Sequence, residues 1–181
     1  MKIRVSVFVI CALVALSILL SVRQSRRAKE HEEYLLYFGD RITVFLGDNG
    51  VYPRTLREYI LWEERVTSSP DPNQEIELLL RQSVCPLTDH KPQTLDDVDH
   101  WADIKVVPYS SPIMAVDEAV LAYCPASNHR DNRVYVIIHR PIGLKATSWR
   151  QHYVVKSMSQ EEFDAKLAEQ RIAFEKVASK P

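Results

Sequence analysis

The sequence predicts an α+β fold: a long N-terminal helix packed on a small antiparallel sheet, with a C-terminal helix. Three observations carry this. An apolar run leads into a stripe of Leu35, Phe38, Ile42 and Phe45, with no proline or glycine before Gly39. Short runs rich in β-branched and aromatic residues occupy the second half. Ser159-Gln-Glu-Glu162 then has the pattern that opens a helix. Long helix, short helices, strands and final helix, in that order, define α+β rather than alternating α/β.

The first element begins after a short tail, residues 1–4. Val5 to Val22 is an 18-residue run without a charge. At about 1.5 Å per residue it reaches roughly 27 Å, enough to span a bilayer core. A cleaved signal peptide is the alternative, but its best cleavage pattern, Ala15-Leu16-Ser17, leaves an apolar new terminus. A retained transmembrane helix over 5–22 is therefore expected, continuing as an amphipathic extension over 23–46 within a soluble domain of residues 23–181. Gly47 and Gly50 end the helix. Lys2 and Arg4 precede the span; Arg23, Arg26, Arg27 and Lys29 follow it and mark the membrane interface. That imbalance leans toward a cytoplasmic C-terminal domain.

Thr55-Leu-Arg-Glu58 is a capping box, predicting a short helix over 56–65 that buries Leu56, Tyr59, Ile60 and Trp62. SSPDPN at 68–73 is a loop, and QEIELLLRQ a further short helix. Residues 85–100 are polar and read as a surface loop. ADIKVVP, AVLAYC, RVYVIIH and HYVVKS are the candidate strands, with Asn128 to Asn132 as a tight connection. The final helix covers about 160–178, with Phe163, Leu167 and Phe174 facing the sheet.

Composition excludes more than it selects. Net charge is −1, which gives no electrostatic case for nucleic acid. Only 4 glycines occur, against a Gly-rich phosphate loop. Cys11 lies in the apolar run, leaving Cys85 and Cys124 as the thiols of the soluble part. They are compatible with one disulfide in an oxidising compartment, or with two buried small apolar residues.

Histidines invite a metal reading. His90 and His100, with Asp89, Asp96, Asp97 and Asp99, share the 85–100 loop, yet their spacing matches no closed zinc pattern and no calcium loop. Solvated loop charges are the simpler reading. His129, Asp131, His139 and His152 could converge with Ser127 or Ser148, but no nucleophile elbow accompanies them. Trp62, Trp101 and Trp149 read as packing rather than as a binding surface. No catalytic residue, cofactor or metal ligand is assigned.

Asp48-Asn49-Gly50, Tyr52-Pro53 and Thr55-Leu56 resemble the turn from long helix to head in type IV pilin-like proteins, most of all the major pseudopilin of type II secretion. Val84-Cys85-Pro86, Leu121-Ala122-Tyr123 and Asn128-His129 are similar to segments in the heads of planctomycete-type pseudopilin-like proteins. Their Asp-Gly-His is replaced here by His139-Arg140-Pro141. The resemblance implies a pilin-like head, a bacterial inner-membrane anchor and a periplasmic domain, against the basic-residue count. It also motivates a candidate disulfide between Cys85 and Cys124. The calcium site of major pseudopilins has no ligands that map onto this chain.

Two departures matter. The first glycine is Gly39 and the first acidic residue Glu30, so the prepilin cleavage glycine and the glutamate that follows it are missing. An uncut anchor follows more naturally than a fibre subunit. The expected function is a non-enzymatic, membrane-anchored envelope protein acting through protein contacts, linked to a type II secretion-like system. The alternative is a small-ligand or metal-binding domain using the 85–100 loop, with a hydrolase third.

Overall fold

The structure, a computed structural model, describes residues 2–108, 118–140 and 153–178. It is α+β. Helix α1 (Lys2–Asn49) is 48 residues long, extending past both expected ends. Within it Val9–Asn49 qualifies as long and apolar enough to cross a membrane, the one such helix among the described residues. Its apolar half is exposed, while Leu35, Phe38, Ile42 and Phe45 are buried in the head. The helix stops where Gly50 adopts φ 69° and donates its N–H to the Leu46 carbonyl at 2.7 Å.

Helices α2 (Leu56–Thr67) and α3 (Pro72–Gln82) follow. Thr55 caps α2 by accepting the Glu58 N–H at 3.0 Å, but Glu58 reaches one residue further back than a standard box, to the Arg54 N–H at 2.7 Å. Asp71 caps α3 and Pro72 takes the first turn, where no N–H is missed. The 85–100 segment is less of a free loop than its polarity implied. It contains a 3₁₀ turn (Leu95–Asp97) and a short helix α4 (Val98–Trp101), pinned by buried Val98.

The sheet has strand order β1-β2-β3-β4, all antiparallel, built from β1 (Lys105–Val106), β2 (Ala119–Cys124), β3 (Val134–His139) and β4 (Tyr153–Met158). β1 is much shorter than the ADIKVVP run. Asp103 and Ile104 send their N–H groups to the Ser83 carbonyl instead of to a strand, and Pro108 has no N–H to give. On one face Leu121, Ala122 and Ile137 pack against α1; on the other Val120, Val134, Val136 and Ile138 meet Phe163 of α5 (Gln160–Ala178). Ser159 and Glu162 cap α5 reciprocally, as expected.

One irregularity has positional weight. The β2–β3 register shifts between Val120 and Ala122. Side chains alternate across a strand, so a bulge reverses the parity of everything after it. Leu121 and Ala122 both join the α1-side core, and Cys124 is delivered to that side too.

Gly39 explains how closely α1 can lie on the sheet. A Cβ there would sit 2.8 Å from Ile137 Cγ2. The Tyr153 hydroxyl, on β4, donates to Thr43 one turn further along.

Candidate metal centre

Among the described residues, one set of metal-ligating side chains converges: His31, Cys85, Cys124 and His129, with one donor atom from each within 4.8 Å of the others. All four are buried; His31, Cys85 and Cys124 have no exposed surface. They come from four separate places. His31 is on α1, four residues before Leu35, so it extends the core-facing stripe toward the apolar segment. Cys85 follows α3. Cys124 ends β2, on the face the bulge selects. His129 follows the 3₁₀ turn Ala126–Asn128 that leaves β2.

Each donor is positioned by a second interaction. The His129 Nδ1–H donates to the Arg133 carbonyl at 2.8 Å, which turns Nε2 toward Cys85 Sγ, 3.6 Å away. The Leu87 N–H points to Cys85 Sγ at 3.4 Å, and Asn128 Nδ2 to Cys124 Sγ at 3.7 Å. Asp103 organises the surround. Its buried carboxylate accepts from the Cys85 N–H (2.8 Å), Thr88 Oγ1 (2.7 Å) and Asn128 Nδ2 (2.9 Å), and contacts His90 Nδ1 at 2.7 Å.

The His31 ring is packed at centroid distances of 5.1 Å from both His129 and Tyr135. Neither of its ring nitrogens makes a hydrogen bond of ordinary geometry. Its imidazole is nonetheless close enough to favour charge on Cys85. The neighbouring Cys124 thiol, with His129 and His31, holds the Cys85 thiol down to about 3 against the opposing effect of burial. Cys124 is pushed far up by Cys85 and by burial, so ionisation of one thiol opposes that of the other. Burial depresses His129, but the Cys85 sulfur and the Arg133 carbonyl raise it on balance.

Chemically the set offers two sulfur and two imidazole donors, the soft, four-coordinate combination that suits zinc. The Cys85–His129 pair also has the thiolate–imidazole make-up of a nucleophile, yet Cys85 has no exposed surface for a substrate to reach.

The other sequence-derived candidates disperse. Asp99 accepts the Leu56 N–H at 2.8 Å, and Asp96 pairs with Arg57 at 3.2 Å, so both serve the start of α2. His90 joins the Asp103 network, and His100 is not part of a cluster with it. His129 and His139 lie near opposite ends of β3 and do not converge. Ser127 contacts only Asn128, at 3.4 Å among the described hydrogen bonds, while Ser148, Trp149 and His152 lie outside the described residues. Trp62 is buried beneath the Arg41 guanidinium at 5.4 Å, and the Trp101 indole donates to the Thr94 carbonyl at 3.1 Å. Cys85 and Cys124 do come together, as free thiols.

The basic cluster after the apolar run divides. Arg26 and Lys29 pair with Glu30 and Glu33 on the exposed side of α1. Arg23 and Arg27 instead line a cavity of about 550 Å³ between α1 and the base of the head, with Arg130, Asp89 and Asp131 opposite. Comparisons with protein-family models, with curated proteins and with solved structures return no match.

Proposed function

We propose that this chain is a single-pass membrane protein whose head acts without catalysis, through contacts with other envelope proteins, in the manner of the pseudopilin-like proteins it resembles. The observation that carries this reading is the continuity of α1: one helix runs from an exposed apolar segment into the centre of the head's core. A head built around its own anchor is held at a fixed height above the bilayer, which suits a contact protein and is of no use to a freely diffusing enzyme. The burial of the Cys85–His129 pair supports the non-catalytic part. In general terms the long helix on a small antiparallel sheet is the pilin-like layout. The type II secretion-like setting and a periplasmic head are part of the proposal.

The test uses the full-length chain in its own membranes. A photo-crosslinking residue at Tyr37 or Val44, both exposed on α1, is expected to give discrete adducts with other membrane or envelope proteins. A Gln74→Cys probe in a Cys11→Ser background reads the side of the membrane, because Gln74 is exposed while the native head thiols are buried. Release of the protein by alkaline carbonate would overturn the anchor. Labelling of Gln74→Cys only after lysis would move the head to the cytoplasm.

A further inference from the structure

We propose that His31, Cys85, Cys124 and His129 bind a single zinc ion, and that this ion fastens the membrane helix to the head. The proposal does not depend on the head having protein partners.

Zinc bonds of about 2.3 Å to sulfur and about 2.05 Å to imidazole nitrogen, at the tetrahedral angle of about 109°, set a sulfur–nitrogen edge of about 3.6 Å. Cys85 Sγ and His129 Nε2 are 3.6 Å apart. With the four donors mutually within 4.8 Å, the cage fits one ion. A two-iron cluster with the same residue types separates its cysteine pair from its histidine pair, one pair on each iron, and needs a wider spread.

A metal-binding histidine characteristically donates its other ring N–H to a carbonyl or carboxylate, which fixes the tautomer and turns the lone pair to the metal. His129 does this to Arg133. The N–H groups of Leu87 and Asn128 aimed at the two sulfurs support charge on them. Two thiolates balance the +2 of the ion, so the filled site is neutral, which a buried site requires.

As a mere core residue His31 is a wholly buried imidazole with neither nitrogen in a good hydrogen bond, an unfavourable state. As a ligand it has its partner. A Cys85–Cys124 disulfide would use the sulfurs but leave His31 and the Nε2 of His129 without a role.

The consequence follows from where the ligands sit. Three belong to the head; His31 alone belongs to the anchor helix, ahead of the apolar stripe. Metal binding is therefore coupled to folding at the junction between membrane and head, and the ion is structural, with all four positions taken by protein.

The experiment is metal analysis of the full-length chain, purified in detergent without chelator or added zinc. One zinc per chain is expected, with Cys85 and Cys124 blocked to alkylation until the metal is removed. Replacement by cobalt should give the visible bands of a tetrahedral site and a sulfur-to-metal charge-transfer band. Strong chelation should lower Tm, and zinc should restore it. His31→Ala should lose stoichiometric zinc, while Tyr34→Phe, one turn along the same helix, should keep it. Substoichiometric metal in the native protein, a native Cys85–Cys124 disulfide, or iron or copper in place of zinc would each overturn the proposal. Those readings need no variant to fold.

Discussion

The Glu63 carboxylate, on α2, accepts two hydrogen bonds from the Arg41 guanidinium on α1, with 3.0 Å from Nε to Oε2. The Glu63 side chain is only 3% exposed and that of Arg41 22%. Beside this bidentate pair, Arg41 also lies over Trp62, so one guanidinium ties α2 to the long helix by charge and by stacking. Removing one partner strands the other in a desolvated place. Arg41→Ala, which leaves the buried Glu63 carboxylate alone, is expected to cost about 3–5 kcal/mol, and Arg41→Lys should recover little of it because lysine cannot bond both oxygens in a fork. Chemical denaturation of the two variants checks this.

Two glycines on the same helix should respond in opposite directions. Gly39→Val places methyls where a Cβ alone would already be 2.8 Å from Ile137 Cγ2, and overpacking of that kind costs about 1–3 kcal/mol. Gly47 has nothing within 4 Å of its would-be Cβ and lies inside α1. Gly47→Ala should stabilise by about 0.5–1 kcal/mol through helix propensity. Thermal unfolding of the pair reads the contrast.

Gln170 acts as a piece of backbone. Its Oε1 accepts the Val120 N–H at 2.8 Å and its Nε2 donates to the Val120 carbonyl at 3.3 Å. β1 is too short to cover that stretch of β2, and the α5 side-chain amide takes its place. Gln170→Leu should cost about 1–3 kcal/mol by leaving buried groups unpaired, and amide exchange at Val120 should accelerate well beyond that of Ile138.

Glu118 meets Arg140 at 3.0 Å, Lys156 at 3.3 Å and Lys166 at 3.6 Å. Burial raises its carboxyl, but the bonds from Lys156 and Arg140 outweigh this and leave it below the ordinary glutamate value. A carboxyl lowered on folding stabilises above its unfolded pKa, and that stability is lost as pH falls through the folded value. Glu118→Gln should therefore lower stability near neutrality and flatten the acid limb of the curve. The effect is expected to stay under about 1 kcal/mol because the cluster is partly solvated.

The periodic elements were legible because their signals are local. The stripe at Leu35, Phe38, Ile42 and Phe45, the AVLAYC strand and the Ser159–Glu162 cap all appear where the pattern put them. The candidate metal centre was visible only in pieces. Cys85 and Cys124 stood out as the two soluble thiols and His129 as a turn residue, but nothing in spacing joins positions 31, 85, 124 and 129. His31 was missed because a polar residue ends a hydrophobic stripe by convention. Stepping four places back from Leu35 would have placed it on the buried face. The facing of Cys124 depends on a bulge, which a strand pattern does not reveal. Likewise the acids of the 85–100 segment read as solvated, when Asp99 serves a helix start 43 residues earlier, a contact visible only in three dimensions.

The unbroken course of α1 has a hydrodynamic consequence. A 48-residue helix is about 72 Å long, and the head is assembled on its second half. With no hinge between span and head, the head has no independent tumbling. If the apolar half is embedded as proposed, its rotational diffusion would be that of the embedded helix, slowed by bilayer viscosity and restricted about the membrane normal. A fluorophore rigidly fixed on α3 should thus show an anisotropy that decays to a high plateau in vesicles, the mark of a body that wobbles in a cone rather than turning freely.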